Sequence, residues 1–511
     1  MIGTCLPRSD ALLKGDNKEM KLWFLTWHQN IACLLSMFAI FATTATPAIS
    51  TEKVTGSYWY IVDNIQDTAE GTSGYIWIAL PADRPEQKVQ ITKIDPKPIE
   101  IITDPDHGNK IVVWRVTPDS KTTFLNYHYE FTAELEPFLS DINPQDVQTP
   151  DKSSSLYRRF TQPEFGIEID QDIQDLAAAI VGPESNPYLQ AKLIYNWIVA
   201  NLKFVPGSDG EFSASWVSGN RQGDCVHYSL LFTSLCRALG IPARTFACEW
   251  LSGGRHVLAE FFIHPYGWLP ADPSAAQLLQ SGFTGLSEEE VAEFIKSRGI
   301  PHQDPSWLFG NLYQNRLITT VGNNIEIISK ENNKKHVFTF LYPGGVDADP
   351  PAYEFEAFNS DIVHGGFFHF GDNNLDEEAI QSLAHQRLAI LYFDAGLVEK
   401  AEEGCLSTIQ YDPTGVSAWI NLGRVYLRKG AYSKAEASFK RALTGYTALP
   451  VEKLERMIWV HNYLGNCYDL LGERDLALAE YKQVVEMEIN YRGAVEYARK
   501  YMNSPFKVSD F

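Results

Sequence analysis

A chain of 511 residues is too long for one hydrophobic core and implies about three domains. Its composition, 45% hydrophobic and 13% aromatic with no low-complexity tract, is that of an ordinary globular protein and argues against a largely disordered chain. The net charge of −21 argues against nucleic-acid backbones and anionic membrane surfaces as partners, because both would repel it.

The N-terminus reads as a targeting segment. Lys14, Lys18 and Lys21 precede an apolar core from Ile31 to Ala42, followed by the small-residue stretch Thr43 to Ser50. A run of about a dozen apolar residues suits a cleaved secretory signal at 1–50 better than a spanning helix, which needs about 20. Export to a periplasm or to the medium is expected, with a retained membrane anchor as the alternative. Beyond residue 50 five cysteines remain, at 225, 236, 248, 405 and 467. That odd, sparse set without a CxxC pair argues against a disulfide framework and against a thiolate metal site. Cys236, Cys405 and Cys467 fall inside amphipathic helical patterns, where cysteine serves as a small buried hydrophobe. The D-x-D turns at Asp104/Asp106 and Asp347/Asp349 lack the closing glutamate of a calcium loop, so no metal and no cofactor are expected.

From Tyr58 to Leu135 short runs rich in β-branched and aromatic residues alternate with turn signals. The runs are Tyr58 to Val62, Tyr75 to Leu80, Val89 to Ile94, Lys110 to Val116 and Phe124 to Phe131. Pro81, Asp95-Pro96 and Asp106-His107-Gly108-Asn109 separate them. The spacing predicts a small antiparallel β-sandwich over 51–150, closed by a Pro- and Asp-rich linker.

Residues 156–345 predict an α+β unit. Asn186-Pro187 starts a helix with Leu189, Leu193 and Trp197 on one face and Ile194 and Ile198 beside it. A second helix runs from Val226 to Leu239 and stops at Gly240-Ile241-Pro242. The apolar run Val257 to Ile263, the turn His264-Pro265-Tyr266-Gly267 and the return Trp268 to Asp272 predict a hairpin. A helical insert near Ser287 to Ser297 precedes strands at Arg316 to Val321, Ile325 to Ser329 and His336 to Leu341.

The chain from 376 to 505 is repetitive. The pairs Gly396/Ala401, Gly430/Ala435 and Gly472/Ala477 share one spacing, and Trp419 to Tyr426 fits the W-x2-L-G-x2-Y opening of a tetratricopeptide repeat. Leu464-Gly465-Asn466-Cys467-Tyr468 repeats its second half. An all-α solenoid follows, with a concave face suited to an extended peptide of a protein partner, or serving as a plain scaffold.

Chemistry concentrates at Gly223-Asp224-Cys225, with His256 and then Asp272 further along. A thiol, an imidazole and a carboxylate are the parts of a nucleophile, its base and the group that orients the base. Cys225 opens a helix, where unpaired backbone N–H groups and the positive dipole end favour an anionic sulfur. The hairpin brings His256 and Asp272 near each other, in a register the sequence leaves open. His227, two residues from Cys225, projects to nearly the opposite side of the helix and makes a poor base. Glu260 reads as a packing or surface acid, and Trp268 as an aromatic behind the site.

Around these residues the sequence resembles the transglutaminase-like superfamily of papain-type thiol enzymes. Gly223-Asp224-Cys225, Leu235-Cys236-Arg237-Ala238-Leu239-Gly240-Ile241-Pro242-Ala243-Arg244, His256 with Glu260, and Tyr266-Gly267-Trp268-Leu269-Pro270-Ala271-Asp272-Pro273 carry the resemblance. It covers roughly 156–345; Phe309-Gly310 to Gly322-Asn323 resembles the tail of bacterial members, and the N-terminal β unit resembles the domain preceding this core in exported bacterial proteins. It implies Cys225 as nucleophile, His256 as general base and acid, and Asp272 as orienter. The oxyanion would rest on the Cys225 backbone N–H and a second, upstream donor. Trp216 is the candidate donor, its alternative reading being a packed aromatic. Leu258 departs from the tryptophan many members carry, which alters the cleft more than the chemistry. The implied activity is thiol-dependent acyl transfer on peptide or protein amides through a thioester, leaning to hydrolysis by a cysteine peptidase or amidase. Alternatives are a cross-linking transglutaminase and a non-catalytic peptide-binding or assembly protein that works through its repeats.

Overall fold

The computed structural model describes residues 51–510, apart from 64–73, 117–123, 206–207, 209, 252–253, 282–303, 329–334, 339–352, 355–362, 372–376, 447–453 and 488–492. The expected signal at 1–50, the helical insert and Asp347/Asp349 lie outside the described residues.

Six strands open the described chain: β1 (Glu52–Asp63), β2 (Gly74–Ala79), β3 (Gln87–Asp95), β4 (Glu100–Thr103), β5 (Lys110–Val116) and β6 (Phe124–Leu135). Alternation along β1 points Tyr58, Tyr60 and Val62 into one core with Ile76, Ile78, Trp114, Tyr129 and Phe131. Tyr58 faces Tyr129 across the β1–β6 pair, and their rings stack at 5.4 Å. The other face of β1 is buried as well, through Trp59 and Ile61, which is why this strand reads as a continuous apolar run.

Next come α1 (Ser155–Phe160), α2 (Gln171–Val181), α3 (Pro187–Asn201), β7 (Lys203–Phe204), α4 (Ala214–Asn220), β8 (Gln222–Gly223) and α5 (Cys225–Ala238). The strands β9 (Ala243–Trp250), β10 (Arg255–Ile263) and β11 (Gly267–Ala271), helix α6 (Pro273–Ser281) and β12 (Arg316–Val321) follow. The four strands form an antiparallel sheet in the order β11-β10-β9-β12. Helix α5 is buried along its length from His227 to Arg237 and is the centre of this unit, packing Tyr228, Leu231 and Leu235 with Phe261 and Phe309. Asn186 caps α3 and Pro187 occupies its first turn, as the sequence predicts. The buried stripe of α3 differs from the expected one: Ala191, Ile194, Tyr195 and Ile198 face the core, while Leu193 is 39% exposed. Apolar residues on nearly every side of α3 made periodicity a weak guide, and the contact with α5 chose the face.

Beyond the core lie β13 (Ile325–Ile328), β14 (Lys335–Phe338), β15 (Tyr353–Glu354) and β16 (Val363–Phe370). Here the structure departs from a sandwich complete by residue 150. Its two sheets run β16-β1-β6-β3 and β15-β2-β5-β4, so each takes one strand from after the core. The β13–β14 hairpin packs Ile325 and Ile327 against Trp77, Ala79, Ile111 and Val113 of the sandwich instead of extending the core sheet. Pairing across such a separation leaves no local pattern to read.

Seven α-helices follow: α7 (Glu377–Asp394), α8 (Val398–Tyr411), α9 (Val416–Arg428), α10 (Tyr432–Tyr446), α11 (Leu454–Leu471), α12 (Arg474–Glu486) and α13 (Ala494–Asn503). Gly423 and Gly465 show what the small repeat residues do. A Cβ at Gly423 would sit 2.5 Å from the Phe439 ring, and one at Gly465 2.4 Å from the Tyr481 ring, so neighbouring helices close together only on glycine. Ala384, Leu388 and Tyr392 of α7 share a core with Ile61 of β1, which seats the repeats on the outer face of the sandwich.

Candidate active site

Cys225 is the first residue of α5. Asp224 caps the helix by accepting the N–H groups of Val226 and His227, and His227 returns to the cap through Nδ1, 2.7 Å from Asp224 Oδ1. The cap therefore engages the second and third N–H groups of the helix, not that of Cys225. Gly223 is required at this start: its φ is +154°, and a Cβ would meet the His227 side chain at 2.4 Å. His227 is fully buried against Phe212 and Trp216 and tied to Asp224. The hydroxyl of Ser229, one turn on, lies 2.8 Å from the Cys225 carbonyl and 3.0 Å from that of Val257. It thus links the first turn of α5 to the strand residue next to His256, a role the sequence did not reveal.

His256 sits on β10 opposite Cys248, and Asp272 follows β11 directly. The β10–β11 register, which pairs Ala259 with Ala271, brings the His256 Nε2 to 2.7 Å from Asp272 Oδ2. Asp272 also starts α6: its Oδ1 accepts from the Ser274 hydroxyl and the Ala275 N–H, both at 3.0 Å. Cys225 lies on the other side, near enough for its side chain to act on the His256 imidazole. The structure thus brings together all three residues the sequence singled out.

Burial works against a charged imidazole at His256, but the charge and hydrogen bond of Asp272, with the contact to Cys225, push its pKa up to about 10. For Asp272 burial opposes ionisation, and the charge and hydrogen bond of His256, with the Ala275 and Ser274 donors, prevail, holding it below its usual value. The other four described cysteines are buried, and burial pushes each of their thiols up; Cys225 alone among them is partly exposed. That contrast separates a reachable sulfur from inert core thiols.

Two further residues sit beside the site. The Trp250 ring lies 5.1 Å from the His256 ring, and Tyr313 stacks on Trp250 at 4.8 Å and 8° while its hydroxyl donates to Asp272 Oδ2 at 3.1 Å. Neither stood out in the sequence, since an aromatic in an apolar run signals only packing. Trp216 is half-buried on α4, its ring 5.6 Å from that of His227.

Glu260 is no surface acid. It is fully buried between Arg84, at 2.7 Å, and Arg244, at 2.6 Å, and these guanidinium groups outweigh burial to bring its pKa down to about 2. It clamps the core sheet to the sandwich. Trp268, expected behind the site, packs on Arg244, Phe160 and Phe262.

A thiol at a helix start, facing an imidazole and carboxylate on an antiparallel sheet, is the layout of a papain-type thiol-enzyme core. Residues 174–273 match the model of the transglutaminase-like superfamily and residues 416–488 that of the tetratricopeptide repeat, so the chain carries a transglutaminase-like core and tetratricopeptide repeats. It is similar to an uncharacterized protein of Haemophilus influenzae, 27% identical over 28% of this chain; the match spans 45% of that relative, less than half its length. Among solved structures it is similar to a candidate cysteine protease from Cytophaga hutchinsonii, with 17% identity, a TM-score of 0.35, and coverage of 63% of this chain and 98% of the other. The N-terminal domain of stress-induced protein-1 from C. elegans matches 25% of this chain over 98% of its own length, at 14% identity and a TM-score of 0.21.

Proposed function

We propose that this chain is a thiol acyl-transfer enzyme acting on peptide or protein amides, with Cys225 as nucleophile, His256 as general acid and base, and Asp272 as the orienter. The observation that carries the reading is the buried His256–Asp272 pair, Nε2 to Oδ2 at 2.7 Å, with the partly exposed Cys225 beside the same imidazole. The Cys225 sulfur, its proton on His256, attacks the amide carbonyl carbon. The C–N bond breaks, His256 gives its proton to the departing amine, and a thioester remains. Water then adds to the thioester while His256 takes up a proton, which returns to the sulfur as the acid leaves. The backbone N–H of Cys225, which the helix cap does not engage, supports the first oxyanion position. Trp216, packed beside the first turn of α5, is the proposed second donor. The repeats serve to hold an extended peptide or a protein partner near this core.

Labelling the purified protein with a peptide-like thiol electrophile at neutral pH tests the reading. Cys225 is expected to react, buried Cys236 and Cys248 are not, and Cys225→Ala is expected to lose hydrolysis of casein-like substrates. Equal labelling of the three thiols, together with a Cys225→Ala variant that matches wild type on casein-like substrates, would overturn the thiol-enzyme reading. A glutamine peptide supplied with a fluorescent amine separates the two enzymatic outcomes. Hydrolysis is the expected one, and amine incorporation without cleavage would make the protein a cross-linking enzyme.

A further inference from the structure

The Asp272 carboxylate accepts four hydrogen bonds, and three of the donors follow from its place in the chain. Ser274 and Ala275 belong to the start of α6, and His256 to the hairpin. The fourth, the Tyr313 hydroxyl, comes from a separate segment before β12 and reaches the same oxygen that holds His256. A core needing only volume at position 313 would be served by phenylalanine; a buried hydroxyl needs a partner, and here the partner is Asp272. The ring is engaged too. It lies parallel to Trp250, which lies against the imidazole of His256, and fully buried Arg316 donates to the Tyr313 carbonyl.

We propose that Tyr313 is a positioning residue of the site, its hydroxyl fixing the plane of the Asp272 carboxylate and its ring, through Trp250, the plane of His256. With both planes fixed, the imidazole keeps Nε2 on Asp272 and one orientation toward Cys225. Tyr313 acts through these two groups and touches no reacting atom. The role rests on the reading of Cys225, His256 and Asp272 as the reacting groups.

The test is a double-mutant cycle in the full-length chain, read as the rate of Cys225 alkylation by iodoacetamide and as kcat and KM on a casein-like substrate. Tyr313→Phe keeps the ring and removes the hydroxyl. It is expected to slow alkylation and lower kcat roughly tenfold, the effect of one hydrogen bond to a charged group, with KM unchanged. Added to Asp272→Asn, the same change is expected to have less than about a twofold effect, because its point of action is already gone. Tyr313→Leu, which also removes the stack on Trp250, is expected to be slower than Tyr313→Phe, and melting curves check that each variant is folded. A Tyr313→Phe effect that is absent, or equally large in both backgrounds, would overturn the role while leaving the reading of the site intact. Wild-type Cys225 that reacts no faster than Cys236 would overturn both.

Discussion

At the scale of single residues, the difference between Cys225 and the other described cysteines is one of position. All have the same side chain, but one stands at a helix start beside His256 and the rest are buried. Cys225→Ala is therefore expected to lower amide turnover by at least about 10³-fold while shifting Tm by less than about 2 °C. Large destabilisation in a melting curve would mark Cys225 as a packing residue instead. The His256–Asp272 pair makes a pH prediction. The folded pKa of His256, about 10, lies above its unfolded value near 6.5, so the fold favours the protonated ring. The stability this adds is fully present below about pH 6.5 and is lost as pH rises through about 10. The Tm advantage of wild type over Asp272→Asn is thus expected to shrink steadily over that window, and a constant advantage would contradict the charged pair.

At the scale of elements, the site is a junction of three: the start of α5, the β10–β11 hairpin and the start of α6. Ser229 and Glu260 hold that junction from within β10 and its neighbours. Glu260→Gln leaves Arg84 and Arg244 without their shared carboxylate, and loss of a buried partner of this kind costs about 3–5 kcal/mol. With its folded pKa near 2, below the ordinary carboxylate value of about 4.3, Glu260 adds stability that is present above about pH 4.3 and lost as pH falls through about 2. Denaturant titrations are expected to show a wide gap between wild type and Glu260→Gln at neutral pH, narrowing in acid. In the repeats the relevant contact is helix against helix. Gly465→Ala places a methyl against the Tyr481 ring and is expected to cost about 1–3 kcal/mol, measurable as a lower midpoint of unfolding.

At the scale of the whole molecule, the sandwich, the core and the repeats are interlocked. The chain leaves the sandwich after β6, builds the core, and returns to add β15 and β16 before the repeats begin. The repeats then rest on β1 through Ile61. Ile61→Ala empties part of that contact and is expected to cost about 2–5 kcal/mol. Limited proteolysis should then release the repeat region from a chain that is otherwise resistant; an unchanged digestion pattern would show that the contact contributes little.

Local physics was legible throughout the sequence. Asn186-Pro187 announced a helix start and Gly240-Ile241-Pro242 a helix end, because caps and stops involve a few neighbouring residues. The types and order of Cys225, His256 and Asp272 were legible for the same reason: their chemistry is intrinsic to the side chains. What the sequence could not show were the relations between distant segments. The hairpin register that sets 2.7 Å between His256 and Asp272, the Tyr313 hydroxyl on the same carboxylate and the Arg84 partner of Glu260 all depend on packing. So do the last strands of the sandwich, β15 and β16. A contact between residues far apart in the chain is stabilised only once the core around it forms, so tertiary structure alone decided it.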